Sequence, residues 1–130
     1  MDSLNVDSRA LDKLFVRELR VDTIIGFWAW ERRVKQTVSI DLEIATDARV
    51  AARADAIDAA LNYERLSQRV IDVVGAAQFK LVESLAEAVA QIAVSEFGAA
   101  WVKVSIAKPG AIPSARDVGI VIERVRADYA

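Results

Sequence analysis

Residues 37–46, TVSIDLEIAT, alternate cleanly between apolar and polar side chains. Successive side chains of a β-strand point to opposite faces, so this segment has one apolar face and one polar face. The apolar set is Val38, Ile40, Leu42 and Ile44, and the polar set is Ser39, Asp41 and Glu43. The pattern predicts a half-buried antiparallel strand whose apolar face must be covered by another layer of the fold.

Three further segments have the character of strands. Residues 13–26, KLFVRELRVDTIIG, have a β-rich composition with three apolar side chains in phase, Phe15, Leu19 and Val21. The loop GFWAWERRVKQ connects this segment to residues 37–46, so the two are predicted to form a hairpin with a long loop. Near the end of the chain, WVKVSIAK and DVGIVIERV predict two more strands, at residues 101–108 and 117–125.

Between the two pairs of strands, apolar residues recur at helical spacing. Asn62 is the predicted N-cap of a first helix, residues 63–76, whose apolar stripe is Leu66, Val70, Val73 and Val74. A second helix has the stripe Val82, Leu85, Ala86, Val89, Ile92 and Ala93, and Gly98 is well placed to end it. Residues 47–61, where alanine and aspartate alternate without a stripe, predict short helical turns and loop.

The predicted order is therefore β-β-α-α-β-β, which indicates an α+β fold rather than a parallel α/β fold. We expect a four-stranded antiparallel sheet with two helices on one face, forming a single domain over residues 14–130. Residues 1–13 are predicted to be a flexible N-terminal extension. An open sheet has two edges that invite pairing with other chains. We therefore hypothesise a homo-oligomer in which strands of several subunits close a β-barrel.

The chain of 130 residues contains no histidine and no cysteine, which excludes several kinds of chemistry. Disulfides, thiol nucleophiles, zinc sites with thiolate or imidazole ligands and histidine general bases cannot occur. No loop has the spacing of a carboxylate metal site, so no metal is expected. The net charge of −2 makes nucleic acid an unexpected partner. Apolar runs are too short for a membrane span, and no secretion signal is recognisable, so the expected location is the cytoplasm.

Lys108 is the side chain that the strand pattern does not explain. Period two places it in phase with Val104 and Ile106, on the apolar side of its strand. The loop that follows, PGAIPS, contains two prolines that stiffen it. A lysine at this place is suited to face a cleft and act as a base. From periodicity alone, the more common interpretation is a lysine that reaches solvent from the end of the strand.

Three other side chains have two interpretations each. Glu83, in the first turn of the second helix, either complements the helix dipole or accepts two parallel N–H bonds from a planar, guanidine-like ligand. Tyr63 either packs at the start of the first helix or donates from its phenol in a site. Glu31, in WAWERR, is either a solvated loop carboxylate or part of that site.

Four motifs together carry a family resemblance. They are IIGFWAWERRVKQTVSIDLEI, DAIDAALNYERL, FKLVESLAEAVA and KPGAIPSARDVGIVIER, in that order and covering nearly all of residues 14–124. With these motifs the sequence resembles the bacterial dihydroneopterin aldolases of the tunnelling-fold superfamily. The resemblance implies retro-aldol cleavage of 7,8-dihydroneopterin in folate biosynthesis, without any cofactor. It also implies rings of four subunits that stack into an octamer, with active sites between subunits.

The resemblance also implies roles for individual residues. Lys108 corresponds to the general acid/base, and Glu31 lies near it and the substrate side chain. Tyr63, contributed by the neighbouring subunit, assists proton transfer. Glu83 anchors the pterin through its 2-amino and N3 edge, and backbone groups near Leu61 and Val82 bind the pterin ring.

Two alternatives to the aldolase stay open at this point. The ALNY segment also resembles the dihydroneopterin triphosphate 2′-epimerases, whose substrate would need basic side chains such as Arg32, Arg33, Lys35 and Arg116. The KPGAIP segment is more similar to the aldolases. A ring protein that binds pterin without catalysis is the other alternative.

Overall fold

The computed structural model describes residues 12–130. It contains four strands and three α-helices: β1 (Asp12–Thr23), β2 (Gln36–Thr46), α1 (Ala48–Ala54), α2 (Tyr63–Ala76), α3 (Val82–Gln91), β3 (Trp101–Pro109) and β4 (Asp117–Val125). The last turn of α3 continues as a π-helical turn, Ile92–Glu96. β1 begins at Asp12, two residues before the domain boundary predicted from the sequence. Residues 1–11 of the predicted extension lie outside the described residues.

All four strands form one antiparallel sheet in the order β1-β2-β3-β4. The helix α2 packs on β1, and α3 packs on β3 and β4. The α+β class and the predicted element order are therefore confirmed. Both outer strands, β1 and β4, have one side that pairs with no other strand of the described chain. No helix within residues 12–130 is both long and apolar enough to cross a membrane.

The core lies between the sheet and the two long helices. The four apolar side chains of β2 that alternate in the sequence are all at most 1% exposed, as the period-two pattern predicts. Opposite them, α2 buries Leu66, Val70 and Val74. Leu85, Ala86 and Val89 form the buried stripe of α3. Burial of these side chains is the main source of stability for this arrangement.

A β-bulge in β1 overturns one part of the sequence prediction. The register with β2 shifts between Val16 and Leu19, and Glu18 takes a left-handed conformation at φ 53°. An extra residue in one strand reverses the faces that the following side chains occupy. Val16 and Leu19 consequently both pack against the core, whereas Phe15 is 52% exposed. The predicted phase of Phe15 with Leu19 is therefore wrong.

Two capping residues lie where the sequence predicts them, Asn62 at the start of α2 and Gly98 after the end of the second long helix. The side chain of Asn62 accepts a hydrogen bond of 3.1 Å from the backbone N–H of Arg65, which makes it the N-cap of α2. Gly98 adopts a left-handed conformation, and its N–H donates to the carbonyl of Val94. The predicted short turns before α2 are α1 and a single 3₁₀ turn at Ile57–Ala59.

Candidate active site

Lys108 and Glu31 form a direct ion pair that is almost fully buried. The side chain of Lys108 is 11% exposed and that of Glu31 is 6% exposed. β3 carries Lys108 near its end, on the same face as the buried Val104 and Ile106, as period two predicts. Lys108 therefore turns towards the interior rather than reaching solvent, and the solvated interpretation of Glu31 is wrong.

The Glu31 carboxylate is held by donors from three segments. It accepts a hydrogen bond from Lys108, one of 3.2 Å from the backbone N–H of Trp28, and one of 3.2 Å from Nε2 of Gln36. Burial by itself would raise the pKa of Glu31. The hydrogen bonds from Lys108, Gln36 and Trp28 oppose this effect, and the pKa of Glu31 is lowered overall. Glu31 is therefore an ionised carboxylate at neutral pH.

Gly26 makes room for this carboxylate. Its φ is +134°, which side chains rarely tolerate, and a methyl group at this position would overlap the carboxylate of Glu31. In the sequence, Gly26 marks only the end of a strand segment. The site also uses Gln36, whose Nε2 donates 2.8 Å to the carbonyl of Ile25 as well as to Glu31. Neither residue carries a sequence signal that distinguishes it from an ordinary turn or strand residue.

Arg32 is a third site residue whose role the sequence does not reveal. Its guanidinium donates to three backbone carbonyls, those of Gly26, Phe79 and Gln78, at 3.0, 3.1 and 2.6 Å. In the sequence, Arg32 was a candidate for binding a triphosphate. In the structure, the N–H donors of Arg32 bind backbone carbonyls of the same chain instead. The other basic side chains named as candidates for binding a triphosphate are Arg33, Lys35 and Arg116.

Val82 and Glu83 begin helix α3. The N-cap position, Leu81, supplies no side-chain hydrogen bond, so the first turn of α3 has no side-chain cap. Glu83 is exposed in that turn, where the partial positive charge of the helix end favours an anion. Val82 is half-buried and packs against the core. Glu83 can therefore offer both carboxylate oxygens to a ligand without giving up a described protein partner.

Leu61 and Tyr63 lie on either side of Asn62, at the start of α2. Leu61 is half-buried, whereas Tyr63 is 56% exposed. Within residues 12–130, no hydrogen bond joins Tyr63 or Glu83 to the Lys108–Glu31 pair. One chain thus contains both members of the Lys108–Glu31 ion pair and presents Tyr63 outwards.

In the hairpin formed by β3 and β4, the backbones of the two strands come into close contact near Lys108. Gly119 of β4 pairs with Ala107, and a Cβ at Gly119 would overlap the carbonyl oxygen of Ile106. At the turn, Gly110 has φ +76°. The approach of β4 keeps the end of β3, and hence Lys108, in place. Among the described residues, no cluster of three or more carboxylates could hold a metal ion.

Comparison with known proteins identifies the family of this chain. The sequence model of the dihydroneopterin aldolase family matches residues 14–123. The chain is 39% identical over 114 residues to the dihydroneopterin aldolases of Escherichia coli K12 and of Haemophilus influenzae. Those matches cover 88% of this chain, and 93% and 97% of the two relatives.

Solved structures show the same fold. The FolB protein of Vibrio cholerae superposes with a TM-score of 0.88 at 41% identity, covering 89% of this chain and 98% of that one. The E. coli dihydroneopterin aldolase in complex with neopterin superposes with a TM-score of 0.85 at 38% identity, covering 88% and 99%. An archaeosine synthase QueF-like protein shares the fold alone, with a TM-score of 0.55 at 15% identity.

The four-stranded antiparallel sheet with its helices on one face is the tunnelling fold. The fold and these relatives together define an enzyme of the aldolase type, which is a lyase. The chain belongs to the dihydroneopterin aldolase family, and its function is that of a dihydroneopterin aldolase.

Proposed function

We propose that the buried Lys108–Glu31 pair is the acid–base centre of the retro-aldol reaction. The observation that carries this proposal is the pair itself, because two opposite charges are held out of water at the end of a strand. Burying such a pair is costly, and it persists only where several hydrogen bonds compensate. Glu31 holds the ammonium of Lys108 in one position, which suits a group that delivers and collects a proton.

The chemistry requires few protein groups. The Lys108–Glu31 pair accepts the proton of the 2′-hydroxyl of 7,8-dihydroneopterin, which lets the C1′–C2′ bond break and releases glycolaldehyde. The electron pair moves into the C=N bond of the pterin ring, which gives an enamine. Protonation of the enamine at C1′ then yields 6-hydroxymethyl-7,8-dihydropterin. In this step the Lys108–Glu31 pair returns to the substrate the proton that it accepted from the 2′-hydroxyl.

The substrate ring is its own electron sink in this scheme, so neither a metal nor a lysine Schiff base is needed. We therefore propose an aldolase that is independent of both. Full activity after dialysis against EDTA and the absence of a borohydride-trapped adduct on Lys108 are the expected results. Loss of activity with EDTA that a divalent metal restores would contradict the proposal.

Glu83 is the proposed anchor of the pterin. An exposed carboxylate in the first turn of α3 can accept two parallel N–H bonds from the 2-amino and N3 edge of the ring. Backbone groups of Val82 and of Leu61 are proposed to bind the same ring. The relative from E. coli is known in complex with neopterin, which supports a pterin as the ligand.

Tyr63 is proposed to serve the site of a neighbouring subunit in a ring of four chains, two of which stack into an octamer. Tyr63 is 56% exposed and forms no described hydrogen bond to the Lys108–Glu31 pair of its own chain, which supports this role. Both edge strands also expose apolar side chains, Phe15 on β1 and Val121 on β4. Pairing of β1 with β4 of the next subunit would cover these side chains and satisfy the open strand edges.

An assay for glycolaldehyde tests the reaction. We expect release from 7,8-dihydroneopterin, and little from its triphosphate measured side by side. Absence of glycolaldehyde from dihydroneopterin would contradict the aldolase. Production of the 2′-epimer from the triphosphate, with no net cleavage, would indicate the epimerase instead. Pterin binding with no turnover of either substrate would indicate the non-catalytic ring.

Two variants separate the proposed roles. Lys108→Ala should lower kcat by about 10²–10⁴-fold, with little change in the Kd for neopterin, because proton transfer acts mainly in the transition state. Glu83→Ala should instead weaken neopterin binding strongly. Unchanged affinity in Glu83→Ala would rule out the anchoring role.

Mixed oligomers test whether the site is shared between subunits. Lys108→Ala and Tyr63→Phe subunits, each inactive or weak alone, should recover glycolaldehyde release when they are unfolded, mixed and refolded together. Recovery occurs only if an intact site can take Lys108 from one subunit and Tyr63 from another. A monomer peak at 14.2 kDa in size exclusion with light scattering would contradict the assembly. The cytoplasmic location stays a prediction, which cell fractionation can test.

A further inference from the structure

The guanidinium of Arg32 binds two parts of the chain that are far apart in sequence. One is the loop that contains Glu31, through the carbonyl of Gly26 at 3.0 Å. The other is the connection between α2 and α3, through the carbonyls of Gln78 and Phe79 at 2.6 and 3.1 Å. A planar guanidinium presents its donors in a fixed fork, so these contacts restrain orientation as well as distance.

The connection between α2 and α3, residues 77–81, receives donors at three consecutive carbonyls. Besides the two contacts of Arg32, the hydroxyl of Thr23 donates 3.2 Å to Ala77, and the N–H of Gly26 donates 3.1 Å to Phe79. All these donors come from the end of β1 and the loop after it. The backbone that leads into α3 is thus attached directly to the loop that carries Glu31.

Each end of this bridge lies close in sequence to a residue with a proposed role. Arg32 follows Glu31 directly and binds the carbonyl of Gly26, the residue that leaves space for the Glu31 carboxylate. On the other side, Glu83 comes four residues after Phe79, in the first turn of α3. The first turn of α3 has no side-chain cap of its own. The buried stripe of α3 fixes the body of the helix on the sheet, and residues 77–81 lead directly into its first turn, so the way they are held contributes to the position of that turn.

We propose that Arg32 is a positioning residue that sets the placement of Glu83 relative to the Lys108–Glu31 pair. This proposal rests on the roles proposed above for Glu83 and Lys108. The substrate must be held at its ring by one group while the other group acts on its side chain. An error of about 1 Å in such a placement can lower the rate by about 10²-fold. Arg32 forms its hydrogen bonds with backbone carbonyls and not with the side chains of Glu83 or Lys108. It therefore acts only through the backbone that it binds.

A double-mutant cycle tests this inference. Arg32→Ala and Glu83→Ala are made singly and together in the full chain, and kcat/KM for dihydroneopterin is measured for all four proteins. Arg32→Ala alone should lower kcat/KM by about 10- to 100-fold. In the Glu83→Ala background the same change should have an effect within about twofold, because the group that Arg32 positions is already absent. A purely structural role would lower kcat/KM equally in both backgrounds.

Two further variants make the result decisive. Arg32→Lys keeps the charge but not the fork, so it should show the same dependence on Glu83 with a smaller loss, and it replaces Arg32→Ala if that variant does not fold. Arg49→Ala removes an exposed arginine on α1 and should leave kcat/KM unchanged. Equal losses in the two backgrounds, or no loss with Arg32→Ala, would overturn the inference. If Glu83→Ala by itself leaves neopterin binding unchanged, the proposed anchoring role fails first, and the inference fails with it.

Discussion

Replacing Gly26 with alanine tests how the site accommodates a buried carboxylate. The new methyl group would overlap the carboxylate of Glu31, and the backbone at φ +134° is strained for any residue with a side chain. Glu31 must therefore leave its place, and the ammonium of Lys108 loses its partner. We expect both the stability of the fold and the rate of the reaction to fall.

The expected loss has two contributions. Backbone strain of this kind costs about 1–3 kcal/mol. Breaking a buried ion pair so that one charge is left alone costs about 3–5 kcal/mol. Their sum, about 4–8 kcal/mol, is comparable to the whole free energy of unfolding of a typical domain, about 5–15 kcal/mol. Gly26→Ala should therefore melt far below the wild type or fail to accumulate as folded protein.

Gly98→Ala is the matched control for this prediction. Gly98 also has a positive φ, of 70°, but nothing lies within 4 Å of the position that its Cβ would occupy. Its expected cost is the left-handed strain alone, about 1–2 kcal/mol. Thermal melts at one fixed protein concentration and the glycolaldehyde assay are measured for both variants. Equal destabilisation of the two, with full activity in Gly26→Ala, would refute the reasoning.

Three other changes have defined outcomes. Gly119→Ala should destabilise the chain by about 1–3 kcal/mol in urea unfolding, because the added methyl group meets the backbone of β3, and an unchanged midpoint would contradict this close approach. Asn62→Ala should cost about 1 kcal/mol while Asn62→Asp keeps the N-cap, and equal melting of the two variants would argue against the cap. The hydrogen bond from Arg124, followed by that from Tyr129, lowers the pKa of Glu87 below its usual 4.5. Because the pKa of Glu87 is lower in the folded than in the unfolded chain, the ionised carboxylate stabilises the fold above about pH 4.5, and this stabilisation is lost as the pH falls through the folded pKa. Acid unfolding curves of Glu87→Gln should therefore show a smaller dependence of stability on pH than those of the wild type.

The candidate site was only partly predictable from the sequence. Lys108 stood out because its phase along β3 is a local, periodic property. Its contact with Glu31 could not be derived from spacing, since the two residues are 77 positions apart and meet only when the loop after β1 folds over the end of β3. The family resemblance, rather than any physical pattern, connected Glu31, Tyr63 and Glu83 to Lys108.

The fold shows the same division. Periodicity predicted the strands and helices because each element must bury one face, so its apolar residues recur at a fixed spacing along the sequence. The bulge at Glu18, which places Phe15 and Leu19 on opposite faces of β1, depends instead on how β1 pairs with β2.

By itself the sequence determined the order of elements, the class of fold and the exclusion of imidazole and thiol chemistry, because these depend on residue type and local spacing. Only the tertiary structure decided where the Glu31 carboxylate lies and which groups hold it. The space at Gly26, the amide of Gln36 and the three carbonyls bound by Arg32 are contacts between separate segments. Such contacts are set by the packing of the whole chain, and no local pattern records them.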